Sequence, residues 1–117
     1  MRTIIAASRN CVDENVLLKA LDTIKWVPTV VLSVNDWVWH KFSENWANQY
    51  NIPIEKYIVN WNNHGKLGSN IRNVEMAKNA EALIALWDGE SKGTKHMIET
   101  AQKHKLKVFV LIFITNN

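Results

Sequence analysis

Cysteine is almost missing from this 117-residue chain. The single Cys11 excludes an intramolecular disulfide and a cysteine-rich metal site, and it fits a reducing, cytoplasmic setting. Long apolar runs are missing as well: no stretch approaches the ~20 apolar residues of a membrane helix. The opening Met1-Arg2-Thr3-Ile4-Ile5 lacks the apolar run and cleavage site of a secretory leader, so neither membrane insertion nor export is expected. Charge of one sign is not concentrated. There are 14 Lys+Arg against 11 Asp+Glu, a net +3, and the basic residues are scattered rather than gathered into a patch that would hold nucleic acid. Glycine is scarce at 4 residues while tryptophan reaches 6. What is present is ordinary globular composition, 47% hydrophobic and 21% charged, which excludes a disordered chain. The length suits one domain, residues 1–117, able to bury a core without staples.

The order of patterns repeats. Thr3 to Ala7 is a short apolar run, followed by Ser8-Arg9-Asn10 and by Asp13, a good N-cap for a helix carrying Val16, Leu17, Leu21 and Ile24. After Pro28 comes a second run, Thr29 to Leu32. Past Ser33-Val34-Asn35-Asp36, the residues Val38, Phe42 and Trp46 recur every four positions, as one helical face demands. A third strand is expected at Tyr57 to Val59, a polar loop over 60–70 and a helix near Ile71 to Asn79. Ala82 to Trp87 is the fourth apolar run. A turn-rich loop follows over 88–94, then a helix from Lys95 to His104 and a fifth strand from Lys107 to Ile114.

Strands apolar on both faces and separated by helices predict an α/β fold. The expected form is a three-layer Rossmann-like sandwich, with a five-stranded mostly parallel sheet and helices on both faces. In such sheets ligands bind beyond the carboxyl ends of the strands, which directs attention to segments 8–13, 33–40, 60–70 and 87–95.

Four stretches match a known pattern in order. They are Ile4-Ile5-Ala6-Ala7-Ser8-Arg9, Gly65-Lys66, Ile71-Arg72-Asn73-Val74-Glu75-Met76-Ala77, and Trp87-Asp88-Gly89-Glu90-Ser91-Lys92-Gly93-Thr94-Lys95-His96. On these the chain resembles the SLOG superfamily, in its small YspA-like branch of bacterial and phage proteins, over nearly its whole length. The resemblance implies a crevice for nucleotides or nucleotide-derived ligands, formed by Ser8, Arg9, Arg72, Asn73, Asp88, Ser91, Gly93 and Thr94.

The chain departs from that pattern after the second strand. Where the family has Ser-Gly-Gly-Ala-x-Gly-x-Asp, this chain has Ser33-Val34-Asn35-Asp36-Trp37-Val38-Trp39-His40. A glycine loop cradles phosphate because it accepts φ > 0 and lets the ligand approach its amides; β-branched Val34 does neither without strain. Ala7, Cys11 and Gly68-Ser69-Asn70 are further replacements at strand ends. A changed pocket on an intact scaffold reads as a computationally redesigned variant.

The replaced lining suggests chemistry of its own. Cys11 and His40 fall at neighbouring strand ends, and a thiol beside an imidazole is a nucleophile with its base. Asp36, one helical turn before His40, would orient the ring. Asn35 and loop amides would stabilise an oxyanion. Trp37, Trp39 and Trp61 would wall an apolar substrate. The leading expectation is an engineered hydrolase that cleaves activated aryl esters through an acyl-enzyme on Cys11.

Each of these residues also has a plainer reading. Cys11 is a core thiol, Asp36 an N-cap, His40 a solvated helix residue, and Trp26, Trp46 and Trp87 are core. Ser69 with His40 is the serine version of the dyad. Asp36 as a base toward a substrate stacked on Trp37 or Trp39 is a further designed activity, and a nucleotide-binding protein is the alternative of another class. His64, His96 and His104 lack ligand spacing, so no metal and no cofactor is expected. The partner expected is a small molecule, with no nucleic acid and no membrane. A homo-oligomer is an open option.

Overall fold

The computed structural model describes residues 1–8, 10, 11, 13–34, 39–57 and 68–114, with residues 34, 39 and 40 by backbone alone. In chain order the elements are β1 (Arg2–Ala7), α1 (Glu14–Thr23), β2 (Val30–Val34), α2 (Trp39–Gln49) and β3 (Ile54–Tyr57). They continue with α3 (Gly68–Lys78), β4 (Ala82–Trp87), α4 (Lys92–Lys103) and β5 (Lys107–Ile112). The strands form one sheet in the order β3-β2-β1-β4-β5, and every pairing is parallel. Helix α1 packs beside α2, and α3 beside α4. Right-handed crossovers place these pairs on opposite faces. The result is the expected α/β three-layer Rossmann-like sandwich.

Burial follows directly from the layering. A strand covered on both faces can be apolar at every position, and Ala82 to Leu86 of β4, Ile4 and Ile5 of β1 and Val31 and Leu32 of β2 are all buried. Fully burying each large aliphatic among them contributes about 1.5–3 kcal/mol. Helix α1 starts where its cap dictates: Asp13 Oδ1 accepts from the Asn15 amide at 2.9 Å. Its apolar stripe turns Leu17 and Ala20 inward. Helices α2 and α4 end alike, with Asn51 (φ 56°) and Lys105 (φ 60°) left-handed. The next amides, of Ile52 and Leu106, reach back to the carbonyls of Ala47 and Ala101.

Several boundaries differ from the sequence-based expectation. The third strand begins at Ile54, three residues before the expected Tyr57, because an edge strand needs no apolar run and here carries Glu55 and Lys56; residues 58 and 59 of the expected strand lie outside the described residues. Helices α3 and α4 begin three residues earlier than their apolar spacing suggested, at Gly68 and Lys92. Trp26, Trp46 and Trp87 are each half-buried and packed against the core rather than inside it, and Trp26 has polar contacts too. The Trp26 Nε1 donates to Thr3 Oγ1 at 3.0 Å, and Lys107 Nζ lies 5.4 Å from the centre of its ring.

Candidate ligand-binding crevice

β1, β2 and β3 advance toward one edge of the sheet, β4 and β5 toward the other. The reversal therefore falls between β1 and β4. At such a reversal the connections leave in opposite directions and open a crevice at the carboxyl ends of the two strands. The Ser8 amide donates to the Leu86 carbonyl at 2.9 Å, extending the β1–β4 ladder and fixing Ser8 at the crevice floor.

Ser8 is only 1% exposed, and its hydroxyl is fully used. It accepts from the Asp88 amide at 3.2 Å and lies 3.2 Å from Thr94 Oγ1 and 3.3 Å from Asp88 Oδ1. A hydroxyl has one proton. The arrangement that satisfies every partner has Thr94 donating to Ser8 and Ser8 donating to the carboxylate.

The Asp88 carboxylate organises the loop into α4. Oδ1 accepts from the amides of Ser91 at 2.7 Å and Glu90 at 2.9 Å, and Oδ2 from the Ser91 hydroxyl at 3.1 Å. Gly89 turns with φ 86°, a conformation that glycine takes without strain. Partial burial works upward on the Asp88 carboxyl. The amides of Ser91 and Glu90, the Ser91 hydroxyl and the Asn10 side chain outweigh it and hold the pKa down at about 2. An ionised carboxylate thus sits at the positive end of α4. Gly93, in the first turn, is exposed, and a Cβ built on it would meet open space.

Helix α3 contributes Arg72, half-buried, and Asn73, which is buried. Asn73 Nδ2 lies 3.0 Å from His96 Nδ1, locking α3 to α4. Ser69 is half-buried in the first turn of α3. The structure therefore brings Ser8, Asp88, Ser91 and Thr94 together and sets Gly93 beside them, with Arg72 and Asn73 on the adjoining helix.

The expected dyad fares differently. Cys11 is 2% exposed and packs within the hydrophobic core. Burial, helped by the nearby Asp13 charge and opposed by a backbone hydrogen bond, pushes its thiol up to about 11. The activated thiolate expected at the crevice mouth is thus replaced by a protonated interior thiol. Arg9, Asn35, Asp36, Trp37 and Trp61 lie outside the described residues, as do the side chains of Trp39 and His40. Among the described residues, no group of three or more His, Cys, Asp or Glu could hold a metal ion.

Two participants were not anticipated from sequence. Asn10, a ligand of Asp88, falls in the first strand-end segment, which was the only signal for it. His96 belongs to a matching motif, yet nothing in its spacing pointed to Asn73.

Among known proteins, the chain is similar to the Gene 61 protein of Mycobacterium phage D29. The two are 33% identical over 73 residues, which cover 62% of this chain and 55% of that protein. The chain therefore spans about half the length of this relative. No family model matches the chain, and no solved structure matches it. No helix among the described residues is long and apolar enough to cross a membrane.

Proposed function

We propose that this chain is a small-molecule binding protein of the SLOG type. Its crevice between β1 and β4 would take a nucleotide or nucleotide-derived ligand. The observation that carries the reading is the Ser8–Asp88–Thr94 cluster at the point where the strand order reverses, beside an α4 first turn left open at Gly93. The Asp88 carboxylate already uses the Ser91 and Glu90 amides. The ligand therefore presents hydroxyl or amino donors to Asp88, while a phosphate is better served by Arg72 on α3. The lone buried thiol fits a reducing, cytoplasmic location.

Ester hydrolysis through Cys11 draws no support from a thiol held protonated in the core. A pocket rebuilt by design over residues 34–40 is a separate reading, whose central residues 35–38 lie outside the described ones.

Titration calorimetry with AMP, ADP, NAD and ADP-ribose tests the reading. Saturable heat is expected for at least one of them, and Gly93→Trp, which fills the open approach without touching the core, should abolish it. Wild-type protein that gives no saturable heat with the whole panel would refute the proposal.

A further inference from the structure

The two helices that flank the crevice are held in different ways. α4 packs against β1, β4 and β5 as well as against α3, whereas α3 packs chiefly against α4. The halves of α3 differ too. Its C-terminal half is anchored in the core by Met76 and Ala77. Over residues 68–73 the one buried side chain is that of Asn73, a polar group 4% exposed, while Ser69 and Arg72 are half-buried and Ile71 is exposed. Apolar burial therefore does little to fix the crevice end of α3, and the partner of Asn73 matters correspondingly more.

That partner is an imidazole. Asn73 Nδ2 lies 3.0 Å from His96 Nδ1, and Thr100 Oγ1, one turn further along α4, lies 3.5 Å from the same nitrogen. A carboxamide nitrogen only donates, so Nδ1 accepts and His96 carries its proton on Nε2. Imidazole is the side chain that gains a charge between about pH 8 and pH 5. Once Nδ1 is protonated it has no lone pair for Asn73, and two donors face each other between the helices.

The charged groups around this contact are few. On α4 the neighbours of His96 one turn away are Lys92 and Glu99, both exposed. On α3, Arg72 precedes Asn73, and the exposed Glu75 and Lys78 pair with each other at 3.9 Å. The sheet below α3 offers Arg2 and Tyr57, both bonded to Glu55. Among the described residues no salt bridge joins any carboxylate to His96.

We propose that His96 is a proton-sensitive latch on the crevice. Neutral, it holds the N-terminal turns of α3 against α4 through Asn73; protonated, it lets them go, and Ser69 and Arg72 move away from Gly93 and Thr94. α4 stays in place, because Thr94 is tied to Ser8 and because Met97, Ile98 and Ala101 are buried in the core. A ligand held between the two helices is then released in mild acid. That release rests on the binding proposed above, whereas the latch itself does not.

Amide hydrogen exchange of the ligand-free protein tests the latch by itself. Between about pH 7.5 and about pH 5.5, after correction for the intrinsic pH dependence, the amides of Arg72, Asn73 and Val74 should become about tenfold less protected while those of α4 keep their protection. His96→Asn is the control. Its carboxamide oxygen falls close to the place of Nδ1, accepts from Asn73 and does not titrate, so this variant should hold α3 equally at both pH values. Titration calorimetry with the same nucleotide panel reads the crevice. Over this interval the affinity of wild-type protein should fall about fivefold or more beyond any fall in His96→Asn. The latch is overturned if wild-type α3 stays protected in acid, as it would if the Asn73 carboxamide simply turned over, or if His96→Asn loosens as the wild type does. A nucleotide affinity that ignores the opening overturns the link to the crevice. Failure of every nucleotide to bind at either pH refutes the binding reading instead, and exchange alone then decides the latch.

Discussion

The hydroxyl of Ser8 lies 3.2 Å from that of Thr94, joining the end of the central strand to the first turn of α4 across 86 positions of sequence. Because Ser8 is buried and also serves both the amide and the carboxylate of Asp88, this contact is a junction of three segments. Replacing Ser8 with alanine leaves buried polar groups without their partner, at a cost of about 1–3 kcal/mol. Chemical denaturation of Ser8→Ala should show that loss as a lower midpoint with an unchanged slope.

Asp88 makes stability depend on acid. Its carboxyl falls from an ordinary 3.8 to about 2 in the folded chain, so the folded state holds the charged form more strongly. A depressed pKa contributes stability that is complete above the unfolded value and lost as pH falls through the folded one. The melting temperature should therefore drop between about pH 4 and pH 2. In Asp88→Asn that part of the slope should be smaller, and the variant should be less stable at neutral pH.

Cys11 should be unreactive until the core opens. A thiol raised to about 11 and sealed among apolar side chains offers almost no thiolate at pH 8. Alkylation by iodoacetamide should be far slower in native protein than in denatured protein and should follow the unfolding equilibrium in mild denaturant. Fast native-state labelling would restore Cys11 as a candidate nucleophile.

Gly93 separates stability from binding. Because a Cβ there meets nothing, Gly93→Ala should fold as well as the parent or gain up to about 1 kcal/mol through reduced backbone entropy. Gly93→Trp should melt normally yet lose nucleotide binding. A melting curve beside a calorimetric titration reads both.

The fold was legible because its strongest signals are local. A run such as Ala82 to Trp87 can hardly be other than a central strand, and Asp13 announces α1. β3 was started late because an edge strand mixes Glu55 and Lys56 with apolar neighbours and so resembles a loop. α4 was started late because its N-cap, Ser91, makes no side-chain cap to the first turn and instead donates its hydroxyl to the loop carboxylate of Asp88. In the crevice, Ser8, Asp88, Ser91 and Thr94 emerged only through a resemblance. Spacing gives no sign that positions 8 and 94 touch. Cys11 shows the opposite case: residue type suggested reactivity, and only burial, which sequence order does not display, reverses it.

The same topology governs how the chain is completed as it is synthesised. Thr3 pairs on one side with Val31, made soon after it, but on the other with Ala82. The central strand therefore waits, half-clad, while most of the polypeptide emerges. Such late, distant pairing slows folding and leaves a sticky intermediate for a nascent chain to shield.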